Sequence, residues 1–429
     1  MGTDRVIKNF DDLATTPLRQ DGLAILEAGY QAILTAGVVK RNISLEGDIL
    51  HLKDDAVDLS QFSRVFFVAI GKCALDTAVA IEDIMADKIT AGIALDVREG
   101  LLHKIKSIAG THPLPSAKNV QATKEIVAML TSLTEKDLVL AFISGGGSAL
   151  LFAPLSLSVE DMVRLTQYAM DKGVTIAELN ILRKHLSSVK GGQLAKLMFP
   201  ATVYSLIFSD VPGDDVSSVA SGPTVLDIST KSDAEAIIAK YQVFDVLNWP
   251  GFELMETPKE QKYFAKVKNV LFLTNANALE AMKAQATKLG YQTIVKDSKL
   301  EGNDIVVGHQ FSAAPLEAKT CELYGGELTA EVKVPGKGGR AQEMVLAALD
   351  DLKDERLVIG AASDGWDNTE VAGALGDQVV LAQATELNLS PEEYLNQNRS
   401  YEFFEKTGSQ IVTGRTGANV ADFYMIIKN

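Results

Sequence analysis

The chain has 429 residues, enough for two or three domains, and its 47% hydrophobic and 23% charged content is ordinary for a globular protein. Forty-one basic against 56 acidic residues leave a net charge of −15, which argues against nucleic acid as a partner but leaves room for a local basic pocket for one small anion. No apolar run approaches the ~20 residues that span a membrane. Residues 1–14 lack the apolar centre of a secretory signal, and Cys73 and Cys321 stand alone, so a reducing cytoplasm is expected.

In chain order, residues 18–39 predict an amphipathic helix with Leu23, Leu26, Ala28, Tyr30, Ile33 and Leu34 on its apolar face. A strand at 65–70 and a helix at 72–85 follow, then strands at 91–97 and 107–109. A helix at 120–133 leads to a strand at 138–143. Helices at 159–170 and 176–198 come next, the second broken near Lys190-Gly191-Gly192, and then a strand at 203–208. Apolar runs alternating with helices predict βαβ units and a mainly parallel sheet covered on both faces. Residues 227–267, with a helix near 234–241 and then Trp249-Pro250-Gly251, read as a domain connection. A second series runs from a strand at 270–274 through a helix at 278–289, a strand at 291–295 and a helix at 304–324. A half-exposed strand at 327–334, a helix at 341–352 and a strand at 357–362 continue it. A helix at 378–387 and short runs at 411–412 and 420–427 complete it. The fold class is α/β in two domains, 1–240 and 241–429, and helix 18–39 could pack on either.

The chemistry gathers where apolar runs break into loops. Lys72 stands at a strand-to-helix turn, facing the positive end of a helix dipole, a position better explained if an anion lies between them. Ser144-Gly145-Gly146-Gly147-Ser148 frees backbone N–H groups at a helix start, a nest for phosphate or carboxylate. Asn180, Arg183, Lys184, His185 and Lys190 form a polar, basic cluster ahead of a glycine break. Strand 203–208 opens into a loop with Asp210, Asp214 and Asp215, costly there unless a cation, a donor or a reacting hydroxyl offsets them. Taken alone, that loop reads equally well as an acidic, solvated turn. Gly336, Gly338 and Gly339 precede Arg340, Gln342 and Glu343 and match a loose dinucleotide pattern. The half-exposed run before them is not the buried strand that pattern requires. Ser363-Asp364-Gly365 and Thr413-Gly414-Arg415 begin two more polar turns. Neither Walker A nor the protein-kinase motif set is present, and five histidines show no metal spacing. Cations, nests and carboxylates at strand ends fit phosphoryl transfer, which needs positioning and charge neutralisation.

In order along the chain, these motifs resemble the two-domain glycerate 2-kinases with a C-terminal MOFRL domain, some of which carry a hydroxypyruvate reductase label. The matching pieces are Gly71-Lys72, 144–148, 183–187 with 190–192, 209–214, 220–224, 338–340 with Gln342-Glu343, 363–365, and Gly417 with Asn419-Val420. The resemblance implies a Rossmann-like N-terminal α/β/α domain, a smaller mixed-sheet MOFRL domain and a site in a cleft between them. It implies ATP-dependent phosphorylation of D-glycerate to 2-phosphoglycerate with Mg²⁺.

Lys72, Asp210 and Arg340 fall where the family's proposed catalytic lysine, aspartate and arginine lie. Lys72 is expected to bridge phosphoryl oxygens or the substrate carboxylate. Asp210 is expected to orient the attacking hydroxyl or take its proton, and Arg340, on a glycine-flanked mobile loop, to close over the phosphoryl group. Asp214 and Asp215 are the expected metal ligands. Ser144, Gly145, Gly146, Gly147, Ser148, Arg183, Lys190, Asp364 and Asn419 are the expected substrate and nucleotide contacts. The chain departs from the family after Gly365, where Ile-Asp-Gly-Pro-Thr-Asp becomes Trp366-Asp-Asn-Thr-Glu370. It departs again where Gly-Pro-Thr-Gly-Thr-Asn becomes Gly414-Arg415-Thr-Gly-Ala418-Asn419. These changes bear on substrate choice and leave open a related small hydroxy acid. The rival reading is a nicotinamide-dependent hydroxypyruvate reductase. Small-molecule substrates are the expected partners, and a homodimer is left open.

Overall fold

The computed structural model describes residues 5–211, 213–243, 251–332, 334–352 and 354–429. Pro212, Trp249, Pro250 and Lys333, which fall in predicted features, lie outside the described residues. The chain divides into two compact units. A parallel-sheet unit comprises Val38–Ser209 and Asp214–Phe272; a mixed-sheet unit comprises Met1–Gly37, Asp210–Gly213 and Leu273–Asn429.

The parallel-sheet unit opens with three antiparallel strands, β1 (Ile43–Glu46), β2 (Ile49–Leu52) and β3 (Asp55–Asp58). Their alternation is too short to stand out in the sequence, and none of the three is among the predicted elements. The main sheet holds β4 (Arg64–Ile70), β5 (Ala91–Asp96), β6 (Ile105–Ala109), β7 (Asp137–Ile143), β8 (Thr202–Phe208) and β9 (Val267–Leu273). Its order is β6-β5-β4-β7-β8-β9, and β4 to β8 pair in parallel. Every residue of β7 is buried, as a central strand covered on both faces requires. On one face Phe67, Phe142, Phe208 and Phe272 touch, with ring centroids 5.5–6.2 Å apart. On the other, Val68, Ile70, Val139 and Ala141 pack with Ala122, Ile126, Leu194 and Met198. In this doubly wound order the direction of winding reverses between β4 and β7, where open sheets leave a crevice for a ligand.

The mixed sheet holds β10 (Gln292–Leu300), β11 (Thr320–Gly326), β12 (Arg356–Ala362), β13 (Gly373–Gly376), β14 (Gln410–Ile411) and β15 (Asp422–Lys428). Its order is β10-β11-β15-β12-β13-β14; β10 and β11 are parallel and the other pairs antiparallel. The first long helix, Pro17–Ile33, starts with Thr16 as cap and Pro17 in its first turn, and belongs to this unit. Its Gly22 faces Leu357 and Ile359, and its Gly29 faces Met282. Buried Arg19 forks onto Asp377 with two 2.7 Å bonds.

Four predictions here need correction. The strand predicted at 270–274 as the start of the second series is β9, the edge strand of the first six-stranded sheet. The helix predicted over 304–324 ends at Ala313, ahead of Pro315, and 320–326 is strand β11. The half-exposed strand predicted at 327–334 is not present among the described residues; Thr329 makes only an isolated bridge to Asn303. The helix predicted over 18–39 breaks at Leu34, and a second helix, Thr35–Asn42, follows.

Candidate active site

In the parallel-sheet unit the turns after β4 and β7 meet. The Lys72 N–H donates to the Gly145 carbonyl at 2.9 Å, and the Ser144 N–H to the Ile70 carbonyl at 2.9 Å. Gly71 has φ +121°, and a Cβ there would lie 2.1 Å from Ser144 Oγ, so only glycine fits. The Ser144 hydroxyl is used inside the turn, between the Cys73 N–H and the Ile70 carbonyl. The helix after the glycines, Gly147–Leu150, has four residues, so its dipole is small and the expected helix-start effect is weak. What the turn offers is backbone. Among the described residues the N–H groups of Gly145, Gly146 and Ser148 have no protein partner. The Lys72 side chain runs beside them, its Cγ 3.1 Å from where a Cβ on Gly146 would lie.

Three other motifs converge on this turn. Ala220, Ser221 and Gly222 all have positive φ, at 51°, 61° and 59°. Two non-glycine residues in that region cost roughly 1–2 kcal/mol each, so their neighbours must fix them. Gly191 and Gly192 donate to the carbonyls of Ser221 and Gly222 at 3.0 and 2.8 Å. The Ser221 hydroxyl joins Asn180 Oδ1 at 3.2 Å and the Ser148 hydroxyl at 3.0 Å.

The basic run divides by task. Lys184 pairs with buried Asp227 at 3.0 Å, and His185 sits between the Met255 carbonyl and Ser229. Both are structural. Lys190 is 2% exposed and, among the described residues, donates only to the Leu151 carbonyl. Burial, and then the Arg183 charge, push its pKa down to about 7. Burial lowers the Arg183 pKa as well. Neither cation has a carboxylate partner among the described residues. Two neighbouring cations, desolvated and without an acid, are costly unless an anion joins them.

Of the expected metal ligands, Asp215 accepts from the Ser217 N–H and from the hydroxyls of Ser217 and Ser218, at 2.7–3.0 Å. Asp214 has φ +57° and makes no such bond among the described residues. Among the described residues no three or more His, Cys, Asp or Glu side chains form a group able to hold a metal. A protein-caged ion does not fit. An ion carried on nucleotide phosphates, needing one or two carboxylates, does.

In the mixed-sheet unit the acids gather where β11 and β12 end and β15 begins. Arg340, first in the helix Arg340–Asp350, donates to Asp422 Oδ2 at 2.6 Å and to Glu327. Burial alone would lower its pKa; the charges of Asp422 and Glu327 outweigh this and raise it. The glycines before it are close-packed. A Cβ on Gly336 would lie 2.1 Å from the Asn398 carbonyl oxygen, one on Gly338 2.1 Å from Ser400 Oγ, and one on Gly339 2.3 Å from Asp367 Oδ1. Asp367 then caps the helix, accepting from the N–H groups of Ala341 and Gln342 at 3.1 and 2.9 Å. A dinucleotide pyrophosphate would need that helix end, which a carboxylate of the chain already fills. The reductase reading loses its main support.

Asp210 accepts from Asn419 Nδ2 at 2.9 Å. Asn419 is fixed through Val420, whose N–H donates to Ser363 Oγ at 2.9 Å. Asp364 accepts the Trp366 N–H at 3.0 Å and, through its carbonyl, the Thr416 N–H at 3.2 Å. The motifs 363–365 and 413–420 and the carboxylate Asp210 thus form one cluster. Asp367, which caps the helix Arg340–Asp350, and Asp422, which holds Arg340, are not among the expected site residues. Asp422 opens strand β15, two residues past the Asn419-Val420 motif.

Residues 21–250 match the family model described as a domain of unknown function (DUF4147), and residues 320–422 match the MOFRL family model. The glycerate 2-kinase of Pyrococcus horikoshii is 34% identical, covering 97% of this chain and 97% of its own. The chain belongs to the glycerate 2-kinase family. The D-glycerate 2-kinase of Thermotoga maritima is 32% identical, covering 91% of this chain and 96% of that protein. A crystal structure of glycerate kinase from Thermotoga maritima shares the fold, with a TM-score of 0.82 at 29% identity, covering 96% of this chain and 99% of that one. The expected family, α/β class and phosphotransferase activity therefore hold. Trp366 and Arg415 touch: the guanidinium carbon lies 4.3 Å from the centre of the indole ring.

Proposed function

We propose that this chain transfers the γ-phosphoryl group of ATP to the 2-hydroxyl of D-glycerate, giving 2-phosphoglycerate and ADP. The observation that carries this reading is the pair Arg183 and Lys190, cations without acids among the described residues, beside a turn of free N–H donors at the sheet's switch point. That arrangement suits oxyanions and little else. The acceptor oxygen forms a bond to the γ-phosphorus as the bond to the ADP oxygen breaks. Asp210, oriented by Asn419, takes the hydroxyl proton. Lys72 and the turn 144–148 bind phosphoryl or carboxylate oxygens. Arg340 uses Nε, NH1 and NH2 once each on carboxylates, which leaves two of its five donors for an incoming anion. Magnesium arriving with the nucleotide would neutralise phosphate charge, with Asp214 as its protein ligand. A cytoplasmic location is part of the same reading, supported by two buried free thiols.

The test is incubation with D-glycerate, ATP and Mg²⁺ followed by NMR identification of the product. 2-Phosphoglycerate is expected; 3-phosphoglycerate or no transfer overturns the reading. Asp210→Asn removes the proton acceptor with little change of shape and should lower kcat by about 10²–10⁴-fold. Near-wild-type turnover in that variant would pass the role to another carboxylate.

A further inference from the structure

The two departures from the family pattern form one contact. The Arg415 guanidinium lies over Trp366 with its carbon 4.3 Å from the ring centre, and Trp366 is 41% exposed. The pair is tied to the polar cluster on both sides. The Trp366 N–H bonds to Asp364, and Thr416, next to Arg415, donates its N–H to the Asp364 carbonyl and its hydroxyl to the Ser363 carbonyl at 2.6 Å. A second cation approaches the same turn: a Cβ on Gly414 would lie 2.7 Å from Lys8 Nζ. Among the described residues neither Arg415 nor Lys8 has a carboxylate partner. The acids at this sheet end are engaged elsewhere: Asp367 caps a helix and Asp422 holds Arg340. An exposed cation without a carboxylate partner keeps its donors available to an anion from solution. A guanidinium stacked on an indole keeps its edge donors outward and loses little freedom when two of them fork onto an oxyanion.

We propose that Arg415, held on Trp366 with Lys8 beside it, is an oxyanion-binding and specificity-determining residue of this kinase. It takes either the carboxylate of the hydroxy acid or a phosphate of the nucleotide. This deepens the kinase reading, but its test does not depend on turnover.

Binding of D-glycerate and of a non-hydrolysable ATP analogue with Mg²⁺ is measured by calorimetry on the full chain. Arg415→Ala should weaken one of the two by roughly tenfold or more, the loss of one charge-assisted bond, and leave the other unchanged. The ligand that weakens identifies the source of the oxyanion. Arg415→Lys keeps charge without the fork and should fall between. Trp366→Ala should weaken the same ligand, because the guanidinium loses its platform. Trp249 is the other tryptophan, so in a Trp249→Phe background the emission reports Trp366 alone and should change with that ligand only. If Arg415→Ala binds both ligands within about twofold of wild type while its Tm falls, the pair is a surface stack and the proposal fails. If wild type binds both ligands but makes no phosphoglycerate, the kinase reading fails and the calorimetry still decides Arg415. Binding of neither ligand overturns both.

Discussion

Lys190 is a buried ammonium whose bonded partner among the described residues is a carbonyl, and this makes a pH dependence. Its pKa, near 7 against an ordinary lysine value above 10, means the free protein is largely neutral there on the alkaline side. A bound oxyanion favours the ammonium, so binding takes up a proton wherever Lys190 was neutral. Affinity for the anionic substrate should be highest below about pH 7 and fall as pH rises through it. Lys190→Arg stays charged and should flatten that profile; a wild-type curve as flat as the variant's would remove Lys190 from the site. Folding has the same linkage with no ligand: the unfolded chain holds the proton longer, so Lys190's penalty shrinks as pH climbs from 7 toward the ordinary lysine range. The sequence pointed to Arg183 and Lys190 because basic residues before a glycine break stand out in an acidic chain. It could not divide the run by task, because the acid that claims Lys184 is Asp227, and only the fold brings them together.

At the scale of elements, the glycines ahead of the helix Arg340–Asp350 make a testable contrast. Gly339→Ala places a methyl on the Asp367 carboxylate and backbone, 2.1–2.3 Å away, and dislodges the helix cap. It should cost roughly 2–3 kcal/mol in urea unfolding, cap loss plus strain. Gly47→Ala meets nothing within 4 Å but has φ +62°, and should cost only about 1–2 kcal/mol. Equal costs for the two would mean that the Asp367 contact is not limiting. The long parallel strands were legible because they carry apolar runs, Val65–Ile70 in β4, Leu138–Ile143 in β7 and Leu206–Phe208 in β8. The segment 320–326 reads as helix from the sequence because Cys321, Leu323 and Tyr324 also suit a helical period, although Pro315 lies between it and the helix Asp304–Ala313. Strand β13 reads Gly-Ala-Leu-Gly, a poor strand sequence, and is specified by its neighbours in the sheet instead.

At the scale of the whole molecule, stability should depend on acids that are buried. Burial, then Asp304, pushes Glu343 up to about 7; burial pushes Asp304 up to about 6; and burial, then Asp422, pushes Asp367 up to about 6. Asp304 Oδ2 has no hydrogen-bond partner among the described residues. Each group is raised above its unfolded value, so its contribution is complete below the ordinary carboxylate range and is lost as pH rises through 6–7. Glu343→Gln mimics the protonated form within reach of Asn398 and Ser400. Its Tm should match wild type near about pH 4 and exceed it near about pH 8. A lower Tm at both values would mean that the ionised carboxylate is what the fold requires. The helix Pro17–Ile33 has a different consequence. A ribosome makes it ahead of the parallel-sheet unit, yet its partners Met282, Leu357 and Ile359 follow that unit in the chain. During synthesis it must wait with Leu23, Ile25, Leu26 and Ile33 unpaired while that unit is made. Its yield in a cell therefore depends on what shelters a nascent apolar helix as much as on the stability of the finished fold.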